Sequence, residues 1–160
     1  MGILPKALEN LIEALGALPG VGSRTAERYA YYLVRRDTSK ALRLAEALSG
    51  LHTGVKYCPK TFALIDASED ISPLYTDPRR LKTLVAVVAE PLDIVSLEKI
   101  GSFHGTYHVL GGLVSPIDDI TPDQLHIEEL IERIDKDKVE EIILATNASV
   151  EGESTALYIQ

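Results

Sequence analysis

The run Leu81–Glu90, LKTLVAVVAE, constrains the fold more than any other stretch of this 160-residue chain. Its apolar residues are continuous rather than alternating, as in a strand buried on both faces of a parallel sheet. Such a strand needs helical crossovers on either side, and the downstream sequence supplies them. PLDIVSLEKI follows directly, with Pro91 at the first helical position. TYHVLGG reads as a second strand. Thr121-Pro122-Asp123 opens a predicted helix in which Ile127, Leu130, Ile131 and Ile134 share a face. EEIILAT is a third strand and GESTALYIQ begins a third helix. Strand and helix alternating three times predict right-handed crossovers and a mostly parallel sheet over 81–160. The pattern stops at Gln160, inside the last helix, so the expected sheet is C-terminally incomplete.

Residues 1–54 follow another rule. Leu8, Leu11, Ile12 and Leu15 recur at helical spacing, and a second helix is predicted over about 24–36 after the turn LPGVGS. Ser23 is the expected N-cap of that helix, and Thr38 that of a third helix, about 39–50, carrying Leu42, Ala45 and Leu48 on one face. The turn holds Gly20 and Gly22 and leads straight into a helix N-terminus, where free amides and the dipole favour phosphate. Arg24 and Arg28, four apart, lie on one face beside it. A plain αα-hairpin is the competing reading of a Gly-x-Gly turn, but Leu-Pro-Gly-Val-Gly before Arg-Thr-Ala-x-Arg favours sequence-independent binding of a nucleic-acid backbone. Tyr29, Tyr31 and Tyr32 have the chemistry to stack on bases, although neighbouring tyrosines on a helix more often pack half-buried.

Charge divides at the same place. Residues 1–60 hold nine Lys/Arg against five Asp/Glu, a surplus of +4, whereas 61–160 hold seven against nineteen, a deficit of −12. The net −8 therefore hides a basic head on an acidic body. No apolar run approaches the about 20 residues of a membrane span. The first helix, interrupted by Glu9, Asn10 and Glu13, is not expected to be a signal peptide. One cysteine rules out an internal disulfide and fits a reducing cytoplasm.

Between head and body lies YCPKTFALIDASEDISPLYTDPRR, residues 57–80. Cys58-Pro59-Lys60 begins like a zinc knuckle, but Thr61 stands where the second cysteine belongs, and Ser72 and Tyr75 stand where a second pair belongs. In the body, Glu90 ends the first strand while Asn147, Glu151 and Glu153 follow the third. Strand ends of a parallel sheet line one edge, where Glu90, Glu151 and Glu153 could hold Mg²⁺ for phosphoryl chemistry or remain solvated charges. No nucleophile or Asp-x-Asp pair accompanies them. His52, His104, His108 and His126 show no ligand spacing and read as structural.

The stretches LPGVGSRTAERYA, YCPK, DPRR, VVAEPLDIVSLEKIGSFHGTYHVLGGLVSPIDDITPDQLHI and ILATNASVEGESTALY, in that order, resemble the RecR family of bacterial recombination mediators from about position 8 to 158. The resemblance implies a helix-hairpin-helix region at 1–54, a degenerate zinc-finger segment at 55–80 and a Toprim-like α/β domain without catalysis at 81–160. It assigns DNA binding to Gly20, Gly22, Arg24 and Arg28, and contacts with RecO to Glu90, Asp93, Glu151 and Glu153. RecF is a further partner, and the family helps load RecA on DNA coated by single-strand-binding protein. A Mg²⁺-dependent phosphotransferase or nuclease is the alternative, and a partner-binding remnant a third reading. The zinc positions fall on Cys58, Thr61, Ser72 and Tyr75, so no metal or other cofactor is expected. Phe62, Leu64, Ile65, Ile71, Leu74 and Tyr75 are the residues expected to replace metal by apolar packing, with Tyr75 where a cysteine–zinc bond would lie. Family members carry a further segment that completes the sheet and closes a ring. A dimer through the hairpins is therefore expected rather than a closed tetramer, at nucleoid DNA in the cytoplasm.

Overall fold

Strand β3 (Leu81–Val88) lies at the centre of a three-stranded parallel sheet, between β4 (Gly105–Val109) and β5 (Glu141–Leu144). Both expected faces are buried. Ala86 and Val88 join Ala63, Ile94, Tyr107 and Val109 in one core, while Val85 and Val87 join Leu110, Leu125, Ile127 and Leu130 in another. That division is the period-2 alternation of a strand with apolar layers on both sides. Helix α5 (Pro91–Ile100) covers the first face and α6 (Ile127–Asp137) the second; α7 (Val150–Ile159) follows β5. The computed structural model describes residues 3–160, and the chain divides into two units, one ending at His52 and one running from Thr53 to Gln160.

The ATNASVEGE segment explains itself in this second unit. Ser149 caps α7 by accepting the Gly152 amide at 3.1 Å, and Thr146 donates to the Gly152 carbonyl at 3.0 Å. A Cβ on Gly152 would lie 2.0 Å from the Asn147 carbonyl oxygen, so the helix start can pack on that loop only with glycine there.

The helix expected to open at Thr121 is broken. A 3₁₀ turn at Pro122–Gln124 ends in extended Leu125, and α6 starts afresh at Ile127. The break lets Leu125 drop into the core, where it is buried, while the His126 amide donates to the Leu110 carbonyl at 2.9 Å. The buried face of α6 also differs from expectation. Ile127 and Leu130 point inward, but Ile131 is 58% exposed and Arg133 is buried in its stead. Spacings of three carry that face from Ile127 through Leu130 to Arg133, and Ile131 falls off it.

Ahead of the sheet, β1 (Val55–Tyr57) pairs antiparallel with β2 (Leu64–Asp66), and a short helix α4 (Pro73–Thr76) follows. In the first unit, α1 (Lys6–Gly16) and α2 (Ser23–Arg35) form the hairpin, and α3 begins at Thr38 and ends at Gly54. Two expected caps move back by one residue. Gly22 is the N-cap of α2 with no side-chain bond, its carbonyl taking the Thr25 and Ala26 amides. At α3, Asp37 accepts from the Ser39 amide and hydroxyl at 3.3 and 2.8 Å, which makes Thr38 the first helical residue. Ala26 and Ala30 are the buried residues of α2, and Leu42 and Leu48 on α3 are exposed.

Candidate nucleic-acid interface

Gly20 adopts a left-handed conformation (φ 78°), which turns the chain sharply between α1 and α2. Gly22 (φ −75°, ψ 164°) is extended instead. Among the described residues, no heavy atom beyond the adjoining residues lies within 4 Å of the Cβ position of either glycine, so the backbone is open on that side. The Val21, Thr25 and Ala26 amides bond to Leu18 and Gly22 carbonyls, whereas those of Gly22, Ser23 and Arg24 have no acceptor among the described residues. These are the orphan donors of a helix start. Arg24 and Arg28 are both exposed just beyond them. Gly20, Gly22, Arg24 and Arg28 thus belong to one turn and the first two turns of one helix.

The face continues past Arg28. Arg28, Tyr31, Tyr32, Arg35 and Arg36 line a basin of about 400 Å³. The Arg28, Arg35 and Arg36 guanidinium groups sit 5.5, 5.7 and 5.4 Å from the ring centres of Tyr29, Tyr31 and Tyr32. Lys40 donates to the Tyr32 hydroxyl at 2.9 Å and holds its pKa below the usual tyrosine value. All three tyrosines are exposed, so the packing role that competes with stacking does not apply within this chain.

The acidic residues of the body separate into two kinds. Glu90 and Glu151 line one pocket of about 300 Å³ with Asp118 and Asn147. Asp118 has no sequence signal beyond its place in a loop; it reaches the pocket because the loop folds back, accepting from the Ser115 hydroxyl at 2.7 Å. Asp93 instead accepts the Glu90 amide at 2.9 Å as an N-terminal lock on α5, and Glu153 is exposed on α7 outside the residues lining that pocket. Among the described residues, no group of three or more His, Cys, Asp or Glu is placed to hold a metal ion. The proposed Mg²⁺ set of Glu90, Glu151 and Glu153 is therefore not assembled.

The four knuckle positions are all buried: Cys58, Thr61, Ser72 and Tyr75. They do not fit zinc, which takes thiolate or imidazole in structural sites. Only Cys58 is such a donor. Its sulfur accepts the Ser72 amide at 3.3 Å, and the Phe62 amide donates to its carbonyl at 2.9 Å. Burial pushes the Cys58 thiol up, but the Thr61 hydroxyl and the Ser72, Lys60 and Thr61 amides pull harder, and the net shift is downward.

Tyr75 points to α6 and donates to Asp137 at 3.0 Å. Asp137 also receives Lys60 at 2.7 Å and Arg133 at 3.1 Å. Arg133 donates further to the Tyr107 carbonyl and the Thr106 hydroxyl, both at 2.6 Å. Burial raises the Asp137 pKa, but these donors outweigh it and lower it overall. The Thr61 carbonyl accepts the Val109 amide at 2.9 Å, tying the knuckle to β4. Of the expected apolar replacements, Ile65 and Tyr75 are buried and Phe62, Ile71 and Leu74 partly so, but Leu64 is 45% exposed.

Among the histidines, His108 is fully buried. Its Nε2–H donates to the His126 carbonyl at 2.7 Å, and Nδ1 has no hydrogen-bond partner among the described residues. Burial, with the Arg133 charge nearby, lowers its pKa to about 4. The second arginine of DPRR is likewise structural: Arg80 donates to the Gly105 carbonyl at 3.0 Å and to Glu98 at 2.5 Å.

A hairpin with free amides and arginines, joined to a parallel α/β unit with an acidic pocket, defines a chain that couples a helix-hairpin-helix to a Toprim domain. Comparison with known proteins gives the same two parts. The RecR helix-hairpin-helix family matches residues 8–51 and the Toprim domain family residues 83–160. A recombination protein RecR of Gloeobacter violaceus is 45% identical over 96% of this chain and 77% of its own length. The RecR proteins of Synechococcus elongatus and Acidothermus cellulolyticus are 42% and 43% identical, over 99% and 95% of this chain and 79% and 75% of theirs. The chain belongs to the RecR family of recombination proteins.

Proposed function

We propose that this chain is a non-enzymatic scaffold of recombinational DNA repair that holds DNA through the α1–α2 hairpin. The observation that carries this is the Gly20 turn, which presents the unpartnered amides at 22–24 beside Arg24 and Arg28. Amides and arginines of this kind bind phosphates without reading bases. Glu90 and Glu151, with Asp118 between strand ends, support docking of a basic surface of a repair partner, RecO in the first place and RecF in the second. Glu153 extends that surface, and Asp93 acts by fixing the Glu90 backbone. In this reading the protein works as a dimer through the hairpin region, at nucleoid DNA, without a metal, and helps RecA onto DNA coated by single-strand-binding protein.

The test is DNA binding at low salt by Arg24→Ala/Arg28→Ala. Loss of two phosphate contacts should weaken binding to every sequence and lower the slope of log K against log salt by about 2. Binding equal to that of the unaltered chain would sink the assignment.

A further inference from the structure

We infer that the outer face of α2 is a stacking platform for unpaired nucleobases, giving this protein a preference for single-stranded over duplex DNA. The inference rests on the hairpin as the DNA site and adds what kind of DNA it takes. Arg24, Arg28, Tyr31 and Arg35 are spaced four, three and four apart, so they form one stripe about 16 Å long on the helix. Ala26 and Ala30, both 0% exposed, fix the opposite face as the buried one. The stripe therefore faces outward by construction.

Exposure decides what the tyrosines do. Tyr31 is 56% and Tyr32 43% exposed, so each leaves much of an apolar ring in water. An arginine beside each ring, at 5.7 and 5.4 Å, sets a cation against the same ring that a base would cover. The basin these rings share with Arg28, Arg35 and Arg36 has no acidic residue in its lining. A flat aromatic group carried on an anionic chain matches flat apolar faces ringed by cations. A base inside a duplex has both faces covered by its neighbours, whereas an unpaired base has a face to offer. The arginines meet phosphates of either form; the tyrosines reward only the single strand.

The experiment compares oligo(dT) with a duplex of the same length at one salt concentration. Tyr31→Ala/Tyr32→Ala should lose about five-fold or more of its oligo(dT) affinity per tyrosine. Its duplex affinity and its salt slope should stay within two-fold of the unaltered chain's. Tyr31→Phe/Tyr32→Phe, which keeps the rings, should bind oligo(dT) normally. The chain has no tryptophan, so quenching of its tyrosine emission by oligo(dT) reads the stacking directly. Equal loss for both DNA forms, no loss for either, or loss in the Phe variant would overturn the inference. So would a shift in oligomeric state as the sole change, which would make this face a contact between copies of the chain. Arg24→Ala/Arg28→Ala reports separately on the parent reading: normal binding there, with single-strand loss in the Tyr→Ala variant, would defeat the phosphate site and leave the platform standing.

Discussion

The knuckle segment and the α1–α2 hairpin are both small, yet they are stabilised in opposite ways. Residues 57–80 bury the four knuckle positions and anchor them to the sheet through Tyr75, Lys60 and the Thr61 carbonyl. The hairpin helix α2 buries two alanines and turns its aromatic and cationic residues to water. The difference separates two uses of polar groups. In the knuckle they are desolvated and satisfied, so they specify structure. In the hairpin they are solvated, and the Gly22, Ser23 and Arg24 amides have no acceptor among the described residues, which is the condition for binding something else.

The comparison breaks first at Arg133. Arg133→Met leaves Asp137 with fewer donors and strips the Tyr107 carbonyl and Thr106 hydroxyl of theirs. Removing one partner of a buried pair costs about 3–5 kcal/mol. Urea denaturation of the variant should show a loss of that size; a loss below about 1 kcal/mol would mean that the network is not what secures the knuckle to α6.

A second prediction concerns acid. The folded pKa of His108, about 4, lies below its ordinary 6.5, so the unfolded chain takes up the proton first. Stability is then fully present above about pH 6.5 and falls as the pH drops toward about 4, by about 3 kcal/mol across the window. Asp137, whose pKa is lowered from 3.8, adds its loss only below that window. Denaturation midpoints measured from pH 7 to 4 should show the decline, and His108→Gln should flatten it. A decline unchanged in that variant would assign it elsewhere.

The smallest effect sharpens the contrast from the other side. Arg24→Ala/Arg28→Ala and Tyr31→Ala/Tyr32→Ala alter solvated side chains, so each should move the unfolding free energy by no more than about 0.5 kcal/mol. Larger shifts would show that the hairpin face supports the fold as well as the ligand.

Much of this was legible in the chain because single residues carry strong local rules. The continuous run at 81–90 demanded a central strand, Pro91 marked a helix start, and Gly20 marked a turn. What sequence missed depends on tertiary contacts. Arg133 in ELIERIDKD reads as a surface charge, and only the spacing from Ile127 and Leu130 hints that it faces inward; its buried partners come from β4, some 26 residues away. Asp118 joins the acidic pocket through a loop turn that no periodicity encodes. Ser23 and Thr38 have good capping chemistry, but the adjacent Gly22 and Asp37 occupy the cap positions, Asp37 because its carboxylate reaches Ser39.

The most direct test is hydrogen exchange of the intact chain, measured with chelator present and with and without oligo(dT). The account predicts that amides at Cys58, Phe62, Ser72 and Tyr75 are already slow without metal or DNA, and that the gain on adding oligo(dT) falls on residues 22–36. Fast exchange at the knuckle that slows only when zinc replaces the chelator, or protection by oligo(dT) that bypasses α2, would contradict it.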